Sequence, residues 1–180
     1  MKVLAIIPAR GGSKGIPRKN LRLLDGKPMI EYTIKAALNS KQITRAIITT
    51  EDDEIIQVSK KLNIEVIKRP KKLANDSSAL EPVMKHVLEY LRHKENYKPE
   101  LIVLLQPTSP LRNSNHIDES ILKLKKNQLD SILSVSESKA LVWKKQKETQ
   151  ISPITYDPFN RKNRQKMNDK VLENGAIYIT

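Results

Sequence analysis

The chain has 180 residues, a length that fits one domain, and only 4% of them are aromatic, so the core has to be built from Ile, Leu and Val. It contains no cysteine, which excludes a disulfide framework and a thiolate metal site. Its net charge of +13 favours anionic partners, which include nucleic acid, phosphates and acidic sugars.

The first predicted element is a buried strand. Residues 3–7 form an unbroken apolar run, which is typical of a strand buried on both faces, and Pro8 ends it. Because the run is too short for a signal peptide or a membrane span, we expect a soluble, cytoplasmic protein without a membrane partner. A loop then leads to Pro28, which suits the first turn of a helix. The expected inward face of that helix consists of Ile30, Ile34, Ala37 and Leu38.

The segments that follow alternate between strand and helix periodicity. Apolar or β-branched runs predict strands at residues 46–50, 64–67, 101–105, 132–135 and 175–180. Helices are predicted after the acidic residues 51–53, from Leu80 to Leu91 and over residues 114–126. Asp52 and Asp53 are interpreted as charges that stabilise a helix start, not as ligands. This alternation predicts an α/β fold with a mostly parallel sheet.

Residues 139–170 break the alternation. They hold nine Lys or Arg against three Asp or Glu and show no strong periodicity. A flap, a dimer arm and a disordered insert are the interpretations that stay open. The segment has no RNA-binding signature, so we do not expect a nucleic-acid partner.

The loop at residues 8–20 is the first candidate site, because ligands of open α/β sheets bind at the carboxyl ends of strands. Its glycines allow backbone N–H groups to converge on an anion, and the same loop carries four cations. These cations are Arg10, Lys14, Arg18 and Lys19. The loop contains neither a Walker A motif nor a G-x-G-x-x-G motif. It is therefore predicted to be a phosphate cradle of another kind.

Several stretches resemble one enzyme family. Residues 7–21 read IPARGGSKGIPRKNL, a run similar to the signature of the acylneuraminate cytidylyltransferases, whose relatives act on legionaminic and pseudaminic acids. Further similar stretches are RPKKLANDSS at 69–78, LLQPTSPLR at 104–112 and NGAIYI at 174–179. The resemblance implies a three-layer, Rossmann-like nucleotide-diphospho-sugar transferase fold. It further implies one nucleotidyltransferase domain over residues 1–180 and a homodimer with its arm at about 139–170.

The resemblance also implies a reaction and the residues that serve it. CMP passes from CTP to the anomeric hydroxyl of a sialic-acid-type nonulosonic acid, and pyrophosphate leaves. Catalytic roles at the triphosphate fall to Arg10, Lys14 and Lys19. Nucleotide contacts fall to Ala9, Gly12, Ser13, Asn20, Arg69, Asp76 and Gln106. Contacts with the sugar fall to Gln106, Arg164, Gln165, Asn174 and Gly175.

Mg²⁺ is the implied cofactor. Members of the family hold it with a late pair of aspartates, and carboxylate oxygens are its preferred protein ligands. No such pair is identifiable in these 180 residues. We therefore expect the metal-binding part to be missing, and the chain as given to bind CTP but turn over slowly.

Two departures from the family pattern concern the sugar. Residues 163–168 read NRQKMN, and this stretch lacks the first Arg, the acid and the Pro of the family's RRQ-D/E-LP segment, so the identity of the sugar stays open. Thr108 stands where the related KDO cytidylyltransferases have an acidic residue, which disfavours KDO. Two alternatives remain: another sugar or alditol nucleotidyltransferase of the same fold, and a basic polyanion-binding protein.

Overall fold

A computed structural model describes residues 1–75, 79–166 and 170–180. The chain divides into two compact units, Met1–Ser134 with Gly175–Thr180, and Val135–Asn174. No helix within the described ranges has the length and hydropathy of a membrane span.

The secondary structure follows the predicted alternation. The helices are α1 Met29–Leu38, α2 Asp53–Lys61, α3 Leu80–Glu95 and α4 Ser114–Lys126. The strands are β1 Val3–Pro8, β2 Leu23–Leu24, β3 Lys27–Pro28, β4 Arg45–Thr50, β5 Glu65–Lys68, β6 Leu101–Leu104, β7 Ile132–Glu137, β8 Trp143–Lys147, β9 Gln150–Pro153 and β10 Val171–Ile179. Short 3-10 turns occur at Lys19–Leu21, Lys71–Leu73, Pro158–Asn160 and Arg164–Lys166.

The main sheet has the strand order β5-β4-β1-β6-β10-β7. Strands β5, β4, β1 and β6 run parallel, and β10 pairs with β6 in the antiparallel direction. The predicted α/β fold with a mostly parallel sheet is therefore confirmed. Parallel neighbours place the carboxyl ends of β1, β4 and β6 at one edge of the sheet, and the loops after these strands meet there.

Strand β1 lies at the centre of three layers. Val3, Ala5 and Ile7 point to a cluster that α1, α2 and α4 complete, whereas Leu4 and Ile6 point to a second cluster with α3. Side chains alternate between the two faces of a strand, and here both faces are covered by helices. This explains why the run is apolar throughout and has no polar alternation.

One residue of the predicted core is exposed. Ile30, Ile34 and Ala37 of α1 are buried as expected, but Leu38 is 46% exposed, so its placement in the core is wrong. Thr33 and Ala36 are buried in its place. The hydroxyl of Thr33 accepts a hydrogen bond from the buried Arg112, so its polar group is satisfied within the buried face of α1.

Helix α3 covers only part of its face of the sheet. Val83, Val87 and Leu91 are buried, and the last two pack against the strands of the sheet. Met84 and Leu88 are partly buried and border an open apolar hollow of about 650 Å³. The predicted apolar stripe is thus real, but one side of it faces this hollow.

The second unit contains regular structure that the sequence pattern did not indicate. Strands β8 and β9 form an antiparallel hairpin, and the ring of Trp143 contacts that of Tyr156 edge-on, with 5.8 Å between centroids. A disordered insert is therefore the wrong interpretation for residues 143–153. The interpretations as a flap and as a dimer arm remain.

Candidate functional site

A cleft of about 280 Å³ lies where β1 and β6 end. Six of the predicted site residues line it: Arg10, Ser13, Lys19, Asn20, Arg69 and Gln106. Its other lining residues are Pro8, Leu73, Asn75, Leu80, Val83, Pro107 and Thr108. The folding of the chain thus brings together residues from three separate stretches of the sequence at the edge where open α/β sheets bind ligands.

Three residues of the first loop donate hydrogen bonds that set its path. Asn20 is only 6% exposed, and its Nδ2 donates a hydrogen bond to the carbonyl oxygen of Arg10 at 2.9 Å. The N–H of Ala9 donates to the carbonyl oxygen of Thr49 at 3.0 Å, which ties the loop to β4. Nη1 of Arg10 donates to the carbonyl oxygen of Asn75 at 3.2 Å, across the cleft mouth. These bonds tie the loop to itself, to β4 and to the segment at Asn75.

The Glu51 carboxylate joins two parts of the cleft. One oxygen accepts the N–H of Gly11 at 2.8 Å, and the other accepts Nε and Nη2 of Arg69 at 3.1 and 3.0 Å. Arg69 is buried, so a carboxylate partner offsets the cost of removing its charge from water. This role of Glu51 was not predicted from the sequence. Its position directly after β4, at the ligand-binding edge of the sheet, was the available signal.

Asp52 restrains the first loop through its pairing with Arg18. Its carboxylate pairs with both terminal nitrogens of Arg18, and its Oδ1 also accepts the N–H of Ile55 at 3.0 Å as the N-cap of α2. The hydrogen bond from Arg18 lowers the pKa of Asp52 below its ordinary value. The interpretation of Asp52 as a helix-start charge is confirmed, and the pairing with Arg18 adds a second role.

Gly11 and Gly12 differ in the space around them. A Cβ on Gly11 would overlap the Asp52 carboxylate, so the loop can approach α2 this closely only with glycine there. A Cβ on Gly12 would meet no atom within 4 Å. Glycine is therefore required at Gly11 for packing against Asp52, whereas the predicted convergence of the loop's N–H groups on an anion stays a prediction.

The predicted catalytic cations take different positions. Arg10 and Lys19 line the cleft. Lys14 lies exposed in the same loop and outside the lining, as does Gly12. Within the described part of the chain, no carboxylate lies at ion-pair distance from Lys19. Its charge is therefore not offset by a described acid at the cleft.

Gln106 borders the cleft beside β10. Gly175 has a left-handed φ of +70°, and a Cβ there would lie 3.4 Å from Oε1 of Gln106. The carbonyl oxygen of Gln106 accepts Nη1 of Arg112 at 3.1 Å. The side chain of Gln106 thus lies next to Gly175 of β10, and the carbonyl oxygen of Gln106 is held by Arg112.

The structure does not test the predicted roles of Asp76, Arg164, Gln165 and Asn174 at this cleft. Asp76 lies outside the described residues. Arg164, Gln165 and Asn174 belong to the second unit, where Nδ2 of Asn174 donates to the hydroxyl of Ser136 at 3.3 Å. Their roles toward a sugar stay predictions.

A model of the cytidylyltransferase family matches residues 4–173. The chain belongs to the cytidylyltransferase family. The predicted family resemblance is confirmed, and this cytidylyltransferase carries its Gly-rich loop and its Gln106 segment at one cleft.

Two relatives of known name are similar to this chain over most of its length. This cytidylyltransferase is 33% identical to the N-acylneuraminate cytidylyltransferase of Oncorhynchus mykiss, over 98% of this chain and 40% of that protein. It is 36% identical to the pseudaminic acid cytidylyltransferase of Campylobacter jejuni, over 76% of this chain and 59% of that protein. It therefore spans less than two thirds of the length of these relatives.

A solved structure shares the fold. The chain matches CMP:2-keto-3-deoxy-manno-octonic acid synthetase complexed with CTP with a TM-score of 0.66 and 21% identity, over 99% of this chain and 73% of that one. At this identity the match supports the fold alone, which agrees with the three layers described above.

Proposed function

We propose that this cytidylyltransferase transfers CMP from CTP to the anomeric hydroxyl of a sialic-acid-type nonulosonic acid and releases pyrophosphate. The observation that carries the proposal is the cleft, where Arg10, Lys19 and Arg69 converge beside the neutral amide of Gln106. Three cations suit a triphosphate, and an amide suits the hydroxyl groups of a sugar. The relatives named for N-acylneuraminate and pseudaminic acid support the class of sugar.

The residues of the cleft work by position and charge. The anomeric oxygen attacks the α-phosphorus of CTP, and the bond from that phosphorus to the pyrophosphate oxygen breaks. Lys19 stabilises the negative charge that develops on the leaving pyrophosphate, since no described carboxylate competes for it. Arg69 holds the nucleotide from a fixed position because Glu51 orients its guanidinium. No covalent enzyme intermediate is needed.

Mg²⁺ is expected from the family and would neutralise phosphate charge. Among the described residues, no group of three or more His, Cys, Asp or Glu side chains could hold a metal ion. The Glu51 carboxylate near the cleft is already bonded to Gly11 and Arg69. The described residues therefore offer no all-protein magnesium site.

We propose in addition that both units serve one nucleotidyltransferase, that it is cytoplasmic, and that residues 139–170 form a dimer arm. The second unit exposes apolar side chains, among them Ile151, Ile154 and Phe159, the last at 98%. Exposed apolar groups on a small unit are typical of interaction surfaces. Light scattering should give the mass of a dimer, and Phe159→Asp should shift it toward the monomer. A monomeric wild type would contradict the arm.

The activity is tested by pyrophosphate release from CTP with sialic, legionaminic, pseudaminic and KDO acids as acceptors. We expect release with one nonulosonic acid and less with UTP or GTP. A preference for UTP or GTP would favour another sugar or alditol nucleotidyltransferase of this fold. Salt-sensitive binding to nucleic acid that CTP does not displace would favour the polyanion binder that the charge of +13 suggests.

Lys19→Ala tests the cleft itself. Loss of a cation that acts on the leaving group should lower the rate about 100-fold or more, as removal of a charge-stabilising donor does elsewhere. Lys98→Ala, on an exposed loop outside the cleft, is the matched control and should leave the rate unchanged. An unaltered rate in Lys19→Ala would contradict the assignment of the first loop to the triphosphate.

A further inference from the structure

Arg112 is a buried cation with neutral partners. It is 5% exposed, and among the described residues no carboxylate pairs with it. Its Nη1 donates to the carbonyl oxygens of Gln106 at 3.1 Å and Ala176 at 2.7 Å, and its Nη2 donates to Oγ1 of Thr33 at 2.6 Å. Its Nε is buried without a hydrogen-bond partner. Burial lowers the pKa of Arg112 to about 10.

Such a residue is unfavourable for stability alone. A buried charge without a counterion loses its hydration and gains only partial compensation from neutral oxygens. An apolar side chain of similar length would fill the same space without that loss. The guanidinium offers instead several donors in one rigid plane, which can hold several backbone segments at once.

The three bonds join segments that are far apart in the sequence. Thr33 lies on α1, Gln106 follows β6 and lines the cleft, and Ala176 lies on β10. Gly175, the neighbour of Ala176, lies directly against the Gln106 carboxamide. Arg112 therefore fixes the backbone that carries Gln106 and also the backbone that borders the Gln106 side chain.

The other anchors of the cleft do not involve Arg112. The first loop is held by Asn20, Glu51 and Asp52, and Arg69 is held by Glu51. The cationic side of the cleft is thus held by hydrogen bonds that do not depend on Arg112. Removal of Arg112 should disturb the Gln106 side of the cleft and leave the cationic side in place.

We propose that Arg112 is a positioning residue that sets the Gln106 carboxamide and the Gly175–Ala176 backbone for the acceptor sugar. The acceptor part of this assignment rests on the proposed function. Arg112 itself touches no substrate in this assignment. It acts through the two segments that it holds.

The test uses Arg112→Met, which keeps the length and removes the donors, and Arg112→Lys, which keeps the charge and loses the planar fork. The KM for the sugar acid should rise about tenfold or more in both, since small displacements of positioning groups are costly. The dissociation constant of CTP, measured by calorimetry without acceptor, should stay within about twofold. Hydrogen exchange should become faster in residues 106–112 and 175–179 and remain unchanged in residues 9–20.

Thr33→Val is the matched control. It removes the bond to α1 and leaves the bonds to Gln106 and Ala176, so it should lower the melting temperature with little change in the acceptor KM. A purely structural Arg112 would behave in the same way as this control: a lower melting temperature, a smaller active fraction and an unchanged acceptor KM. That result would overturn the proposal.

Failure of the proposed function is distinguishable from failure of this inference. If the wild-type protein releases no pyrophosphate with any of the sugar acids, the activity is wrong. Hydrogen exchange still decides the role of Arg112 in that case. Unchanged exchange at residues 106–112 in both Arg112→Lys and Arg112→Met would contradict the inference.

Discussion

At the scale of single residues, the two acids that follow β4, Glu51 and Asp52, hold the first loop and Arg69 in place. Glu51 accepts the N–H of Gly11 and orients Arg69, and Asp52 pairs with Arg18. Neither acid needs to touch a ligand in this arrangement. They set the path of a basic loop that would otherwise repel itself.

Gly11→Ala should destabilise the fold. Its new Cβ would overlap the Asp52 carboxylate, which cannot move freely because it holds Arg18 and caps α2. We expect a loss of about 2 kcal/mol in the free energy of unfolding, typical of an overpacked site. Gly12→Ala, with open space around its Cβ, is the control and should change it by less than about 0.5 kcal/mol. Urea unfolding measures both, and equal losses would contradict the close approach at Gly11.

At the scale of elements, α2 begins where loop and sheet meet. Asp52 is its N-cap, acidic residues Asp53 and Glu54 fill its first turn, and Lys60 and Lys61 end it. This charge order complements the helix dipole. The same helix start thus stabilises α2 and restrains the loop before it.

Substitution of Asp52 separates these two contributions. Asp52→Asn keeps an N-cap acceptor and loses the charge that pairs with Arg18, whereas Asp52→Ala loses both and should be less stable by about a further 1 kcal/mol.

The pH dependence follows from the lowered pKa of Asp52. A carboxyl whose folded pKa lies below its unfolded value, about 4, adds stability above that value and loses it as the pH falls through the folded pKa. The stability gap between wild type and Asp52→Asn should therefore be constant from about pH 7 to 5 and shrink below about pH 4. Urea unfolding at several pH values measures the gap. A gap that widens on acidification would contradict the pairing with Arg18.

At the scale of the whole molecule, part of the positive charge of this basic chain lies where it can act on an anion. Arg10, Lys19 and Arg69 converge in one cleft at the edge of the sheet. A nucleotide that binds only the folded state should therefore stabilise it.

CTP at 100 times its dissociation constant should raise the free energy of unfolding by about 2.7 kcal/mol. Lys19→Ala should lose most of this gain at the same CTP concentration, because its cation is gone from the cleft. Denaturant unfolding with CTP, UTP and GTP measures the effect. Equal stabilisation by all three nucleotides would count against a cytidine-specific site.

Much of the fold was predictable because the signals are local. The apolar run of β1 and the period of α4 depend on neighbours within one element, and α4 spans the predicted residues 114–126. Residues that act across the fold were missed. Glu51 meets Gly11 from 40 positions away, and Arg112 meets Thr33 from 79 positions away.

The sequence by itself determined the fold class, the family and the basic loop, since periodicity and short motifs are properties of contiguous residues. Only the tertiary structure decided which members of the loop line the cleft, that Leu38 is exposed and that Thr33 is buried. It also decided that Glu51 and Arg112 hold the two sides of the site. The physical reason is that a hydrogen bond between distant segments depends on how helices and strands pack, and no local pattern encodes that packing.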